Sequence, residues 1–333
     1  MEKQPASGGI YTNMKILYGI QLTGNGHLTR SIQIIRELKK RGHEVEIVTS
    51  GSNSQLDIPY EVKSRKEGLS FFYDRSGGID WFKTIKKLNL GRFLSEIEFD
   101  ASGYDLVISD FEPVSAWSAK RHGVKSIGIG NQYSLLSKNA PRPTSPNKIS
   151  EQFIKRFAKC DVAIALGYER HDSFVYLPVV DESISSAKAS DEGFYLVYLP
   201  SISNERLSAA FEKAGVKYRI YSPDANEETD SIKKPDSAGF KKDLATCTGV
   251  ITASGFSTTT EALVLGKKLW SIPIRGQYEQ ICNAIALRKM GIFTKEFCEE
   301  SLIEWIREYN PIEYEWEDPI AKIADKIEET WKR

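Results

Sequence analysis

Several features are scarce in this sequence, and each absence closes off a class of function. There are four cysteines in 333 residues: Cys160, Cys247, Cys282 and Cys298. No two form a C-x-x-C pair, and their spacing suits neither a set of metal ligands nor a small disulfide framework. They read as reduced thiols of a cytosolic protein, and no metal is expected. Charge of one sign is not in excess. Lys+Arg and Asp+Glu both number 45, so no global attraction to nucleic acid is expected. No apolar run reaches the roughly 18–20 residues that span a bilayer. The opening "MEKQPASGGIYTN" lacks the apolar stretch of a secretory signal and reads as a flexible polar leader over 1–13. What remains is an ordinary soluble composition, 41% hydrophobic and 27% charged, with length enough for two domains.

The order of elements points to an α/β fold. Met14–Gly19 is a short apolar run fit for a buried parallel strand. The glycine-rich "GNGHLTR" follows, then Leu28–Arg41 with apolar residues at helical spacing, then a strand over Glu44–Thr49. This is one βαβ unit. Further strands are expected at 104–109, 125–130 and 160–166, with a helix over 114–122. A second set begins with "GFYLVYLP" and continues at 216–222, 248–254 and 267–273, with helices near 204–214, 258–265 and 279–290. Strands alternating with helices predict two doubly wound parallel-sheet domains. The boundaries drawn are 14–178 for the N-terminal domain, 179–316 for the C-terminal domain, and 317–333 for a final helix.

In open α/β sheets, ligands sit at the carboxyl ends of strands, near helix starts. Two stretches have that form. One is Thr23–His27. The other is "ITASGFSTTTEALVLG", where Ser254, Gly255 and Phe256 make a tight turn and Ser257–Thr260 open a helix. Free N–H groups and hydroxyls there suit a diphosphate; an ordinary N-capped helix is the other reading. Glu261, one turn on, could accept hydrogen bonds from ribose hydroxyls or simply offset the helix dipole. Glu279, Gln280 and Asn283 follow a buried strand, where amides and carboxylates suit sugar hydroxyls.

The stretch "GVITASGFSTTTEALVLGKKLWSIPIRGQYEQICNAIALRKMGI", together with "GNGHLTR" and "RGHEV", resembles the GT-B nucleotide-sugar glycosyltransferases. It is most similar to the MurG type, the glycosyltransferase family 28 C-terminal pattern. The resemblance covers most of 14–330. It implies two Rossmann-like domains facing across a cleft, with the last helix crossing back to the first domain. It further implies that Ser254, Gly255, Phe256, Ser257 and Thr258 form the diphosphate loop, that Glu261 binds the uridine ribose, and that Phe240 and Lys241 lie on a uracil-binding loop. Glu279 and Gln280 match the pair that reads the donor sugar. The sequence departs from the family at "LPSIS", where a glycine-rich loop is usual, and at "EQ", where "QQ" or "DQ" is frequent. The implied activity is inverting, metal-independent transfer of a sugar, N-acetylglucosamine or another hexose, from a UDP-sugar to a glycan or lipid-linked acceptor. No cofactor is implied beyond the donor substrate.

Inverting transfer needs a base for the acceptor hydroxyl. His27 ends the first glycine turn, and Asp110 ends the strand "VISD" on the same sheet edge. GT-B enzymes with such a His–Asp pair use it as the base. His27 with Asp110 is therefore the expected base, with Glu112 as the rival carboxylate. Gly24, Asn25, Gly26 and Arg30 are expected to line the acceptor side. Either His27 or Asp110 could instead serve only a helix start or a strand end. "DWFKTIKKLNLGRFL", Asp80–Leu94, is amphipathic and basic; it is either a packed surface helix or a peripheral contact with the inner face of the cell membrane. Competing functions of the same fold are a nucleotide-sugar 2-epimerase and a non-catalytic nucleotide-sugar-binding protein. An NAD(P) site is disfavoured, because "EIVTSGSNS" has no ribose reader at the second strand end.

Overall fold

A computed structural model describes residues 13–51, 58–69, 90–225 and 227–332. Most of the expected leader lies outside the described residues, as do positions 80–89 of the amphipathic stretch. The N-terminal half runs β1 (Lys15–Gln21), α1 (Asn25–Lys40), β2 (Glu44–Ser50), β3 (Val62–Lys66), α2 (Leu90–Glu96), β4 (Leu106–Asp110), α3 (Pro113–His122), β5 (Ser126–Gly130), a 3-10 turn (Asn131–Leu136), α4 (Lys148–Phe157), β6 (Val162–Leu166) and β7 (Val175–Tyr176). Its strands form one parallel sheet in the order β3-β2-β1-β4-β5-β6-β7. A short helix, α5 (Glu182–Ser185), leads to the second half. That half runs β8 (Phe194–Tyr198), α6 (Asn204–Ala214), β9 (Lys217–Tyr221), β10 (Ile232–Lys233), α7 (Ser237–Thr246), β11 (Gly249–Ala253), α8 (Phe256–Val264), β12 (Lys268–Ile272), α9 (Tyr278–Lys289) and α10 (Glu299–Glu308). Its parallel sheet has the order β10-β9-β8-β11-β12. The final helix is α11 (Ile320–Lys332).

Strand composition explains the layering. β4 and β5 are buried along their whole length, as expected where helices cover both faces of a parallel sheet. In each sheet the chain starts in the middle, builds one side, then returns to build the other. The order therefore reverses between β1 and β4, and again between β8 and β11. Those two switch points open crevices at the carboxyl ends of the strands. Among the loops the sequence singled out, those after β1, β4 and β11 sit at these crevices.

The chain returns to the first half at its end. Trp316 Nε1 donates to the Pro178 carbonyl at 2.9 Å, and Tyr314 donates to the Tyr168 carbonyl at 2.8 Å. Helix α11 then packs on α1, where Arg41 meets Asp325 at 2.6 Å and Glu328 at 3.3 Å. His43 joins Glu328 at 3.2 Å in a buried contact.

Two local expectations change. Helix α1 begins at Asn25 rather than Leu28, so His27 lies in its first turn and not in a loop. Phe240 and Lys241, expected on a loop, stand on α7. That helix starts at Asp236, whose carboxylate accepts from the Ala238 and Gly239 N–H groups.

Candidate active site

Two helix starts face each other across the cleft. Helix α1 begins after Gly24 and α8 after Gly255, and neither has a side-chain cap bond. The first-turn N–H groups of an α-helix have no partner within the helix, so such a start can receive a ligand's acceptor atoms. The two helices meet closely at Gly26, where a Cβ would fall 2.1 Å from Ser257 Oγ. Any larger residue there would force the Ser257 hydroxyl to turn aside.

Under α1 lies a buried ionic cluster. Asp110 is wholly buried at the end of β4. Its Oδ1 lies 2.8 Å from His27 Nδ1. Arg30 donates from Nη2 to Oδ1 at 2.5 Å and from Nε to Oδ2 at 2.8 Å, and Ser31 donates to Oδ2 at 2.8 Å. Burial alone would raise the Asp110 pKa, yet Arg30 and His27 together hold it below the usual carboxylate range. Arg30 Nη2 also lies 2.7 Å from His27 Nδ1, so the two contacts compete for one ring nitrogen. The ionised carboxylate is the acceptor beside the ring, so Nδ1 is assigned the proton and donates it in a hydrogen bond to Asp110, which stays ionised. His27 Nε2 is then left with its lone pair on the side of the cleft.

The structure redistributes the other residues expected around this base. Arg30, expected on the acceptor side, is buried beneath His27 and clamps Asp110. Asn25 faces a cavity shared with Phe240 and Glu261, and Gly26 meets Ser257 instead of an acceptor. Gly24 does line the cavity beside His27. Glu112, the expected rival base, is corrected. It is wholly buried and caps α3, accepting from the Val114 and Ser115 N–H groups at 2.6 Å each and from Ser50 Oγ at 2.5 Å. Its oxygens are already in use. Gly19 makes room for this cap, since a Cβ there would lie 2.7 Å from Glu112 Oε2.

Between these two carboxylates Phe111 takes a left-handed backbone, φ 48°. A non-glycine residue there is strained by roughly 1–3 kcal/mol. The twist sends Asp110 to His27, Glu112 into α3 and the Phe111 ring into the cleft. Phe111 packs on Phe157 with ring centres 5.1 Å apart, and Phe153 follows at 5.0 Å from Phe157. These rings, with Ile154 and Tyr278, wall a cavity of about 350 Å³ that also contains His27, Gly255, Glu279 and Gln280.

On the far side of the Gly26–Ser257 contact lies a second cavity of about 220 Å³. Its wall includes Phe240, Tyr198 and Tyr221, the last two edge-on to Phe240. Ser257, Thr258, Lys241 and Glu261 complete it, with Asn25 and Thr29 from α1. Glu261 is deeply buried, and among the described residues no hydrogen bond or ion pair reaches its carboxylate. Burial pushes its pKa up to about 7, against a lowering influence of Lys241. Lys241 is itself paired with Asp181 at 3.0 Å.

Two residues of the expected diphosphate loop are turned elsewhere. Ser254 is fully buried, its hydroxyl 2.7 Å from Ser271 Oγ. Phe256 packs against Tyr168, ring centres 4.9 Å apart, and does not line the cavity of Phe240 and Glu261. Gly255, Ser257 and Thr258 remain at the cleft. Gln280 accepts from the Ile274 N–H at 3.1 Å and donates to Gln277 at 2.8 Å. Glu279 reaches across to the first domain, where Asn131 Nδ2 and Gln132 Nε2 donate to its two oxygens at 2.7 and 3.1 Å.

Comparison with known proteins adds a family to this geometry. The model of glycosyl transferase family 1 matches residues 14–304. The chain belongs to that family. The protein is thus a glycosyltransferase of GT-B fold, and the finer MurG likeness rests on the loop motifs alone. An uncharacterized glycosyltransferase of Methanosarcina acetivorans is 25% identical over 344 residues, covering 89% of each chain. Among solved structures, the glycotransferase of kitacinnamycin superposes with a TM-score of 0.56 at 14% identity, over 96% of this chain and 95% of that one. Arabidopsis thaliana UGT89C1, solved with UDP, gives a TM-score of 0.59 at 15% identity, over 96% of this chain and 100% of that one.

Sequence reasoning missed Tyr198, Tyr221, Asn131, Gln132 and the aromatic wall. Tyr198 and Asn131 had a usable signal, since each lies at the carboxyl end of a parallel strand.

Proposed function

We propose that the protein is an inverting glycosyltransferase that moves a hexose, N-acetylglucosamine by resemblance, from a UDP-sugar to a hydroxyl of a glycan or lipid-linked acceptor. The observation that carries this reading is a shared wall: His27 and the open start of α8 at Gly255 border one cavity. The uridine sits in the cavity of Phe240 and Tyr198, with its ribose hydroxyls donating to Glu261. The diphosphate lies at the start of α8, where first-turn N–H groups, the helix dipole and the hydroxyls of Ser257 and Thr258 stabilise the leaving group without a metal. His27 Nε2 takes the proton from the acceptor hydroxyl as its oxygen attacks the anomeric carbon, and Asp110 steadies the imidazolium that forms. Phe111, Phe153, Ile154 and Phe157 give the acceptor an apolar wall, which suits an acceptor with an apolar part beside its hydroxyl. No helix among the described residues is long and apolar enough to cross a membrane, so a lipid-linked acceptor would be met by peripheral contact at the inner face of the cell membrane. UDP bound by UGT89C1 supports the choice of uridine.

The test is a thermal-shift panel of UDP, GDP, dTDP and UDP-sugars. A ligand that binds only the folded state raises apparent stability by about 2.7 kcal/mol at a hundred times its Kd. Uridine nucleotides are expected to raise Tm more than the others. No shift with any uridine nucleotide would overturn the reading.

A further inference from the structure

We infer that Asn131 is a positioning residue that ties the base to the carboxylate reading the donor sugar, so that sugar recognition is assembled from both domains. The inference rests on the reading of the cleft as a UDP-sugar site. Asn131 is buried at the end of β5, in the turn that follows it. Its amide faces two ways. Oδ1 accepts from Arg30 Nη1 at 3.4 Å, and Nδ2 donates to Glu279 Oε1 at 2.7 Å. A continuous path therefore runs His27–Asp110–Arg30–Asn131–Glu279, from the first-domain base to the second-domain carboxylate. The amide serves both ends with separate atoms, its oxygen accepting from the guanidinium and its nitrogen donating to the carboxylate.

The geometry leaves Glu279 able to work while held. A carboxylate offers about four acceptor positions, and Asn131 and Gln132 occupy two of them, one on each oxygen. The remaining positions are open to hydroxyls, and Glu279 borders the cavity that holds His27. The amide contacts fix the orientation of the carboxylate before the sugar arrives, which lowers the ordering cost of binding. The uridine cavity contains neither Asn131 nor Glu279. Loss of the clasp should therefore weaken recognition of the sugar and leave that of the nucleotide.

The experiment uses the full chain, with UDP, UDP-N-acetylglucosamine and UDP-glucose as probes in calorimetry. Asn131→Asp keeps an acceptor for Arg30 but sets a carboxylate against Glu279. It is expected to weaken the better of the two UDP-sugars by about tenfold or more, the scale of one lost charged hydrogen bond, with the Kd of UDP unchanged within about twofold. The double variant Asn131→Asp/Glu279→Gln restores the crossing bond with its polarity reversed, since the Gln amide can donate to Asp. It is expected to recover much of the loss. Equal weakening of UDP and UDP-sugar, no weakening of either, or a double variant no better than the sum of its parts would overturn the inference while leaving the uridine site intact. A wild-type chain that binds no uridine nucleotide would overturn the underlying reading instead.

Discussion

Helices α1 and α8 begin alike and are equipped differently. Each follows a strand at a topological switch point, each starts after a glycine, and each lacks a side-chain cap. Below the start of α1 the charges are matched: Asp110 is held by His27, Arg30 and Ser31. Below the start of α8 the buried carboxylate of Glu261 has no hydrogen bond among the described residues, and burial raises its pKa to about 7. A completed network fixes a side chain in place, as a base requires. An uncompensated carboxylate awaits donors, as a ribose site requires. Glu112 sharpens the contrast. It too is buried, but two N–H groups and a hydroxyl occupy its oxygens, and it holds up a helix.

The largest effect that separates these carboxylates is expected from Glu261→Gln. Loss of charged hydrogen bonds to ribose should weaken UDP by about 10–100-fold. The free protein should respond in the opposite direction. With its pKa raised in the fold above the unfolded value, Glu261 contributes fully to stability below about pH 4.5, and that contribution is lost as pH rises through about 7. At pH 8 the variant should therefore be more stable than the wild type by up to roughly 3 kcal/mol. The gap should close towards pH 4.5, as denaturant titration at two pH values would show. UDP affinity of the wild type should rise with pH towards 7 and then level off, because ribose donors favour the ionised carboxylate. Burial raises the Glu112 pKa as well, yet the same change there should lower stability, because a Gln amide turns an NH2 group towards the Val114 and Ser115 N–H donors. If both variants lose stability at pH 8, the comparison fails.

A smaller effect is expected where the two helix starts touch. Gly26→Ala places a methyl group against Ser257 Oγ. The serine hydroxyl can rotate away, so donor KM should rise only about three- to tenfold, the scale of a mild overpacking. Ser257→Ala in the same chain should relieve part of it. A normal KM in Gly26→Ala would mean that the two starts do not need to meet.

Much of this was legible in the sequence, for definite reasons. Strand and helix order followed from apolar runs and 3.6-residue spacing. The two ligand-facing helix starts were marked by glycine, serine and threonine directly after buried strands. His27 and Asp110 could be brought together because one follows β1 and the other ends β4, neighbouring parallel strands of one sheet. Other roles depended on side-chain direction, which spacing does not encode. Arg30 was assigned to the acceptor side, although three residues along a helix returns it to the face of His27 and sets it over Asp110. Ser254 and Phe256 fell in the right turn but point away from the cleft. Glu112 had a legible signal that outweighed its proximity to Asp110: Pro113 follows it, and proline favours the first helical position after a cap. Asn131 was legible as a strand-end residue, but the pairing of Asn131 and Gln132 with Glu279 was not, because that partner lies in the other domain, 148 and 147 residues away.

The central claim is that α8 binds the nucleotide while α1 supplies the base. Single-turnover transfer and UDP affinity, measured side by side on the wild type and His27→Ala, test it most directly. The account predicts a UDP Kd unchanged within about twofold and a transfer rate lower by about 10²–10⁴-fold. A His27→Ala variant that transfers sugar at the full rate would contradict it.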